Sequence, residues 1–210
     1  MLAPCSFASE RLVYRACNFP ADDAFLLELA NDPETQMGWF GGIVRPKALR
    51  DLEGFKKHLQ SDTAILAVVI CLAPEKGSVA TPIGIADLEK REMGGPQNRC
   101  AGFGLVIHKD FRGKGYATEA MEWLLRRAFI GYNLHRVEGG VWSWNDGARK
   151  LYDKLGFTVE GRRRKAVWQE GGWRDDLTWN PRRGMVRPAS GRQAAMSETV
   201  YRKMGNTILQ

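Results

Sequence analysis

The sequence predicts a single α/β domain, built on one mixed sheet of about seven strands with helices on both faces. Three observations carry this expectation. An apolar strand, residues 103–107, runs into a glycine-rich turn and then into a helix whose apolar residues recur on one face. A second strand, a capped helix and a further strand follow it between residues 134 and 169. The 210 residues contain no repeat and no internal linker, and suffice for one sizeable core.

Taken in order, residues 12–16 read as a first strand and residues 21–30 as a helix, with Pro20 as its start signal. A loop carrying Asn31-Asp32-Pro33 and Gly38-Trp39-Phe40-Gly41-Gly42 leads to a helix near residues 47–60. The longest apolar run, residues 64–73, is too short to span a bilayer and contains a buried strand, 64–72. Strands at 82–90 and 101–107 flank Gly94-Gly95-Pro96, which marks the segment 93–99 as a hairpin turn. After the glycine turn, Ala117, Ala120, Met121, Leu124, Leu125, Ala128, Phe129 and Tyr132 keep the spacing of an amphipathic helix.

A strand over residues 134–142 leads to Asn145, a residue suited to accept from the first free amides of a helix. Ala148, Leu151, Tyr152 and Leu155 form that helix's buried stripe, and Gly156 is its left-handed stop. The last two strands, near 157–169 and 173–179, turn around Glu170-Gly171-Gly172. From Asn180 the chain is turn-forming and charged, so residues 180–210 are expected to be a basic flexible tail, with a short helix at 196–204 as the alternative.

The glycine turn is the strongest functional signal. It sits at a helix N-terminus, where unpaired N–H groups and the positive dipole end attract anions. Gly113 and Gly115 allow close backbone approach, and Arg112 and Lys114 add charge, so the turn is suited to a pyrophosphate. It is no dinucleotide fingerprint, because Ile107 stands where a third glycine is needed after Gly102 and Gly104. It is no P-loop either, because Gly115 follows Gly113-Lys114 and His108 occupies the earlier glycine's place.

Composition narrows the classes. Cys5, Cys17, Cys71 and Cys100 lack metal or redox spacing, and His58, His108 and His135 are scattered, so no metal is expected. Met1-Leu2-Ala3-Pro4 lacks the features of a signal peptide, and the thiols suit a reducing compartment, so a cytoplasmic protein without a membrane partner is expected. The formal net charge of +7 comes largely from Arg162-Arg163-Arg164-Lys165 and the tail. The simplest reading of the first cluster is a solvated strand or edge, and no nucleic-acid partner is expected.

Arg112-Gly113-Lys114-Gly115-Tyr116-Ala117 resembles the Gln/Arg-x-x-Gly-x-Gly/Ala signature of the GNAT N-acetyltransferases. The run from Asn145 through Ala148, Leu151-Tyr152, Lys154 and Gly156-Phe157 is similar to a second block of that family. Residues 9–15, Ser-Glu-Arg-Leu-Val-Tyr-Arg, resemble the opening strand of its RimJ/RimL-like branch. The resemblance covers residues 9–179 and implies a GNAT-like, mostly antiparallel sheet and acetyl transfer from acetyl-CoA to a primary amine, by direct attack in a ternary complex.

On that resemblance, Phe103, Leu105, Val106 and Ile107 would offer backbone to the pantetheine, and Arg112, Gly113, Lys114, Gly115, Tyr116, Ala117 and Thr118 would hold the pyrophosphate. Asn145 would contact the pantetheine arm, and Tyr152 would protonate the departing thiolate. Asp32, Glu34, Trp39 and Phe40 would line the amine site. The base is not supplied in the usual way. Gly102 stands where many relatives have glutamate, and Ala148 and Val167 align with a catalytic serine and glutamate of some ribosomal-protein acetyltransferases. Glu89 is the candidate base, with Asp87 or a water relay as alternatives. Glu119, in the loop helix's first turn, suits the dipole better than catalysis. The amine is a small molecule or a protein or peptide N-terminus, and the protein a monomer or homodimer. A non-catalytic acyl-CoA sensor is the alternative that the Gly102 departure allows.

Overall fold

The computed structural model describes residues 6–40, 43–74, 79–91 and 95–181, leaving the tail expected beyond Pro181 outside the described residues. One seven-stranded sheet organises them, in the order β1-β2-β3-β4-β5-β7-β6. Its strands are β1 (Leu12–Ala16), β2 (Ala64–Leu72), β3 (Pro82–Lys90), β4 (Cys100–Ile107), β5 (Arg136–Trp142), β6 (Phe157–Gln169) and β7 (Gly172–Pro181). All neighbours run antiparallel except β4 and β5. The sheet is therefore mixed and mostly antiparallel, as the sequence leads one to expect.

Helices α1 (Asp23–Asn31), α2 (Pro33–Thr35) and α3 (Glu53–Leu59) lie in the first half of the chain. Helices α4 (Tyr116–Arg126) and α5 (Asp146–Lys154) follow. Leu26, Leu29, Leu52 and Leu59 pack with Ile85 and Val106 on one side of the sheet. Met121, Leu124, Phe129 and Tyr152 pack with Leu88, Ala101, Val137 and Trp179 on the other. Alternation along β3 and β4 sends Ile85 and Val106 to the first core and Leu88 and Ala101 to the second.

Three local outcomes differ from the sequence reading. The loop after α1 is ordered into α2 and a π-type turn, Gln36–Phe40, because Asp32 accepts from Thr35 N at 3.0 Å and Gln36 Nε2 donates to Ala30 and Arg45 carbonyls. The helix expected at 47–60 is split into a 3₁₀ turn, Leu49–Leu52, and α3. The last strand continues through Asn180 and Pro181, which pair with Thr158 and Phe157. Lying at the edge of the sheet, β6 carries the arginine cluster, where Arg162 Nε donates to Asp175 at 2.6 Å and Arg163 Nε to Asp176 at 2.8 Å.

Candidate active site

The sheet opens where its single parallel pair parts. β4 and β5 pair only at Cys100–Arg136, Ala101–Val137 and Gly102–Glu138. Beyond Gly102 their facing backbone is unpaired with each other, and Phe103 wedges into the gap: a Cβ on Gly139 would lie 2.5 Å from its ring. Glycine at 139 is what lets the ring enter.

A cleft of about 760 Å³ runs from this seam to the N-terminus of α4. Leu105, Val106 and Ile107 form one wall, and Arg112, Gly113, Gly115, Tyr116, Ala117 and Thr118 its end. Gly113 and Gly115 hold φ of 75° and 84°, the left-handed region that glycine adopts without strain. Nothing lies within 4 Å of the Cβ position of Gly113. Open space over a bend at a helix N-terminus fits a phosphate-bearing ligand. Trp144, Asn145, Asp146, Gly147, Ala148, Lys150, Leu151 and Lys154 line the opposite wall.

Asn145 caps α5 as expected, its Oδ1 accepting from Ala148 N at 3.0 Å. Its Nδ2 faces the π-type turn, lying 2.9 Å from where Gly38 would carry a Cβ. The turn 36–40 thus reaches across the cleft, with Met37, Gly38 and Trp39 in its wall.

The residues foreseen for this site are only partly brought together. Arg112 is already engaged: Nη1 donates to Glu34 at 2.7 Å, Nη2 to Asp32 at 2.5 Å and Thr35 Oγ1 at 2.7 Å, and Nε to Ile107 O at 3.0 Å. Asp32 and Glu34, expected to line an amine site, both accept from Arg112 of the glycine turn, and Glu34 also lines the cleft. Lys114 turns away, donating to Asp110 O at 2.8 Å over the Phe111 ring. Trp39 lines the cleft edge-on to Phe55; the side chain of Phe40 lies outside the described residues.

Tyr152 is buried beneath the cleft rather than in its wall. It is stacked on Phe157 and edge-on to Phe103 and Trp179. Burial pushes its hydroxyl pKa up, favouring the protonated form. Glu89 lies on the far side of β4, facing His58 Nδ1 at 3.9 Å and paired in register with Gly102. The Cβ position of Gly102 is taken by Arg91, whose Nε is 2.5 Å away. Glu119 is bound by Arg11 and Ser9, tying α4 to the start of β1.

Sequence reasoning missed Lys150 and Lys154 in the cleft wall, although their i, i+4 spacing on either side of Leu151 was a usable signal. It also passed over Met37, Gly38 and Trp144, for which there was none. Among the described residues no group of three or more His, Cys, Asp or Glu is arranged to hold a metal, and no helix is long and apolar enough to cross a membrane.

A seam between two parallel strands, opening onto a glycine-rich helix start, marks out the class of α/β fold to which this chain's sheet conforms. Residues 11–158 match the model of the acetyltransferase (GNAT) domain, and the chain belongs to that family. It is 33% identical over 91 residues to the SPbeta prophage-derived uncharacterized N-acetyltransferase YokL of Bacillus subtilis (strain 168), covering 43% of this chain and 49% of that protein. The chain thus spans about half of that relative's length. It is 27% identical over 157 residues to spermidine N(1)-acetyltransferase of Escherichia coli (strain K12), covering 74% of this chain and 78% of that one. Among solved structures, spermidine N-acetyltransferase from Vibrio cholerae in complex with CoA and spermine has a TM-score of 0.66 at 23% identity, covering 82% of this chain and 95% of that one. At that identity the likeness speaks to the fold.

Proposed function

We propose that the chain is an acetyl-CoA-dependent N-acetyltransferase of the RimJ/RimL-like branch, acting through residues 9–179 on a primary amine. The observation that carries this is the continuity of the cleft: unpaired β4 backbone at one end and the Gly113–Gly115 helix start at the other. A pantetheine arm can hydrogen-bond along the first and a pyrophosphate can meet the amides of the second. Lys150 and Lys154 add positive charge along the opposite wall.

Acetyl transfer needs juxtaposition, oxyanion stabilisation, removal of protons from the amine and protonation of the sulfur. Backbone N–H groups of residues 103–107 are the candidates to position the thioester. Tyr152, kept protonated by burial and with no hydrogen bond to its hydroxyl among the described residues, is the candidate acid for the thiolate. Trp39, in the cleft wall, is the candidate to border the amine's entry. The relatives named for spermidine make polyamines the first amines to try.

The test is thiol release from acetyl-CoA across polyamines, amino acids, aminoglycosides and peptides with free N-termini. Turnover with at least one class is expected. Acetyl-CoA binding without turnover on any of them would replace the enzyme reading by that of an acyl-CoA sensor.

A further inference from the structure

We propose that Asp87 takes the proton from the acceptor amine, and that His58 and Glu89 carry that proton away to solvent. This rests on the acetyl-transfer reading above and names a residue for a step that reading leaves unassigned.

Asp87 sits on β3 at only 6% exposure, on the sheet face covered by α1 and α3. In register it lies directly opposite Gly104, the residue before the Leu105–Ile107 wall of the cleft. A Cβ on Gly104 would be 2.3 Å from Asp87 Oδ1 and 3.1 Å from Trp39 Nε1. The missing side chain at 104 is therefore what lets the carboxylate lean across the β4 backbone beside Trp39, a cleft-wall residue. Any other residue at 104 would displace one of the two.

Other carboxylates of low exposure are each paired with a lysine or an arginine: Asp23 is held by Lys56 at 3.0 Å. Asp22 is held by Arg15 at 2.6 Å, Asp32 by Arg112 at 2.5 Å, Glu119 by Arg11 at 2.8 Å and Asp176 by Arg163 at 2.8 Å. Asp87 has no such clamp among the described residues; its ion-pair neighbour is His58, with Nε2 3.9 Å from Oδ2. A buried carboxylate left without a lysine or arginine clamp is costly to the fold, and such costs concentrate at functional sites. The titratable and charged groups around it are His58 from α3, Glu89 and Arg91 from its own strand and its extension, and the Cys17 thiol after β1. Burial pushes the Asp87 carboxyl up to about 6; His58 and Arg91 pull against this and Glu89 adds to it. A base with that value accepts a proton readily at neutral pH and gives it up again.

His58 spans the two carboxylates: its Nε2 faces Asp87 and its Nδ1 lies 3.9 Å from Glu89 Oε1. Glu89 is 30% exposed at its side chain. An imidazole can take a proton on one nitrogen and release it from the other. The substrate ammonium gives one proton to Asp87, and its lone pair forms the N–C bond while the carbonyl π pair moves to oxygen. Collapse breaks the C–S bond with its electron pair going to sulfur. The second nitrogen proton balances the sulfur, by way of Tyr152. One proton per turnover is left on Asp87 and departs through His58 and Glu89.

The test uses the full chain, an amine accepted in the thiol-release panel, and Asp87→Asn, His58→Gln and Glu89→Gln. Asp87→Asn is expected to lower kcat by about 10²–10⁴-fold, as for loss of a general base, with acetyl-CoA affinity by calorimetry within twofold. The fall in kcat/KM below about pH 6 should vanish with it. His58→Gln should move that fall to higher pH, because the neighbour that lowers the Asp87 carboxyl is lost, and Glu89→Gln should move it to lower pH. Without substrate, the Asp87 carboxyl carbon should titrate near 6 by nuclear magnetic resonance and higher in His58→Gln. An Asp87→Asn enzyme within threefold of wild type would overturn the assignment, as would one that loses rate but keeps the acid fall, or an Asp87 titrating like a free carboxylate. A wild-type chain that binds acetyl-CoA but acetylates nothing removes the enzyme reading and the base with it. An active wild type with an indifferent Asp87→Asn removes the base alone.

Discussion

At the scale of single residues, Tyr152 and Asp87 each make a separable prediction. Tyr152→Phe keeps the ring that packs on Phe103, Phe157 and Trp179 and removes only the hydroxyl. If that hydroxyl protonates the thiolate, kcat should fall about 10²–10⁴-fold with acetyl-CoA affinity and melting temperature nearly unchanged. An unaltered kcat, where chemistry limits the rate, would return Tyr152 to the core. Asp87 makes a prediction about stability. Its carboxyl is raised from 3.8 to about 6 in the fold, so the folded state holds the proton more tightly than the unfolded chain. Stability is therefore lost as pH rises through this window, by on the order of 3 kcal/mol at about 1.36 kcal/mol per unit. Asp87→Asn should raise the melting temperature by several degrees at pH 8 and by little at pH 4, measured by circular dichroism. The burial of Tyr152 on α5 was legible because its helix stripe is local. The approach of His58 to Asp87 was not, because it is created by the packing of α3 on β3 and leaves no trace in spacing.

At the scale of elements, the glycine turn is the piece the sequence specifies most completely. Strand, turn and helix follow one another without a tertiary contact being needed to define them. Gly115→Val forces a β-branched residue to φ 84° at the first turn of α4 and closes the backbone approach. Acetyl-CoA affinity should be lost while the far-ultraviolet spectrum is kept; unchanged calorimetric affinity would sink the pyrophosphate assignment. The segment 32–40 is the opposite case. Its charges suggested a surface for a cationic amine, and the structure adds that Asp32 and Glu34 both pair with Arg112, which lies 80 residues away from Asp32 in the chain. Long-range ion pairs of this kind cannot be read from composition, since either partner alone looks free. The same holds for the π-type turn Gln36–Phe40, which depends on Gln36 donating to the Ala30 and Arg45 carbonyls.

At the scale of the whole molecule, the fold was legible because each strand and helix carries its own period, and seven strands were already countable in the chain. The mostly antiparallel character was supplied by the resemblance rather than by periodicity, and the strand order, set by long-range pairing, was not legible. Phe157 pairs with Pro181, so β6 and β7 close the sheet at that point. A chain ending at Pro181 should therefore fold and bind acetyl-CoA like the full chain; a large loss would extend the functional unit into the tail. The parting of β4 from β5 has a further consequence, in the exchange of amide hydrogens with solvent. Along residues 103–107, amides directed to β3 are locked in its antiparallel ladder, while their alternate neighbours face the opening. One strand should thus exchange at two rates, slow and fast residue by residue. A ligand seated along the seam would slow only the fast set, making those few amides a direct gauge of where it lies.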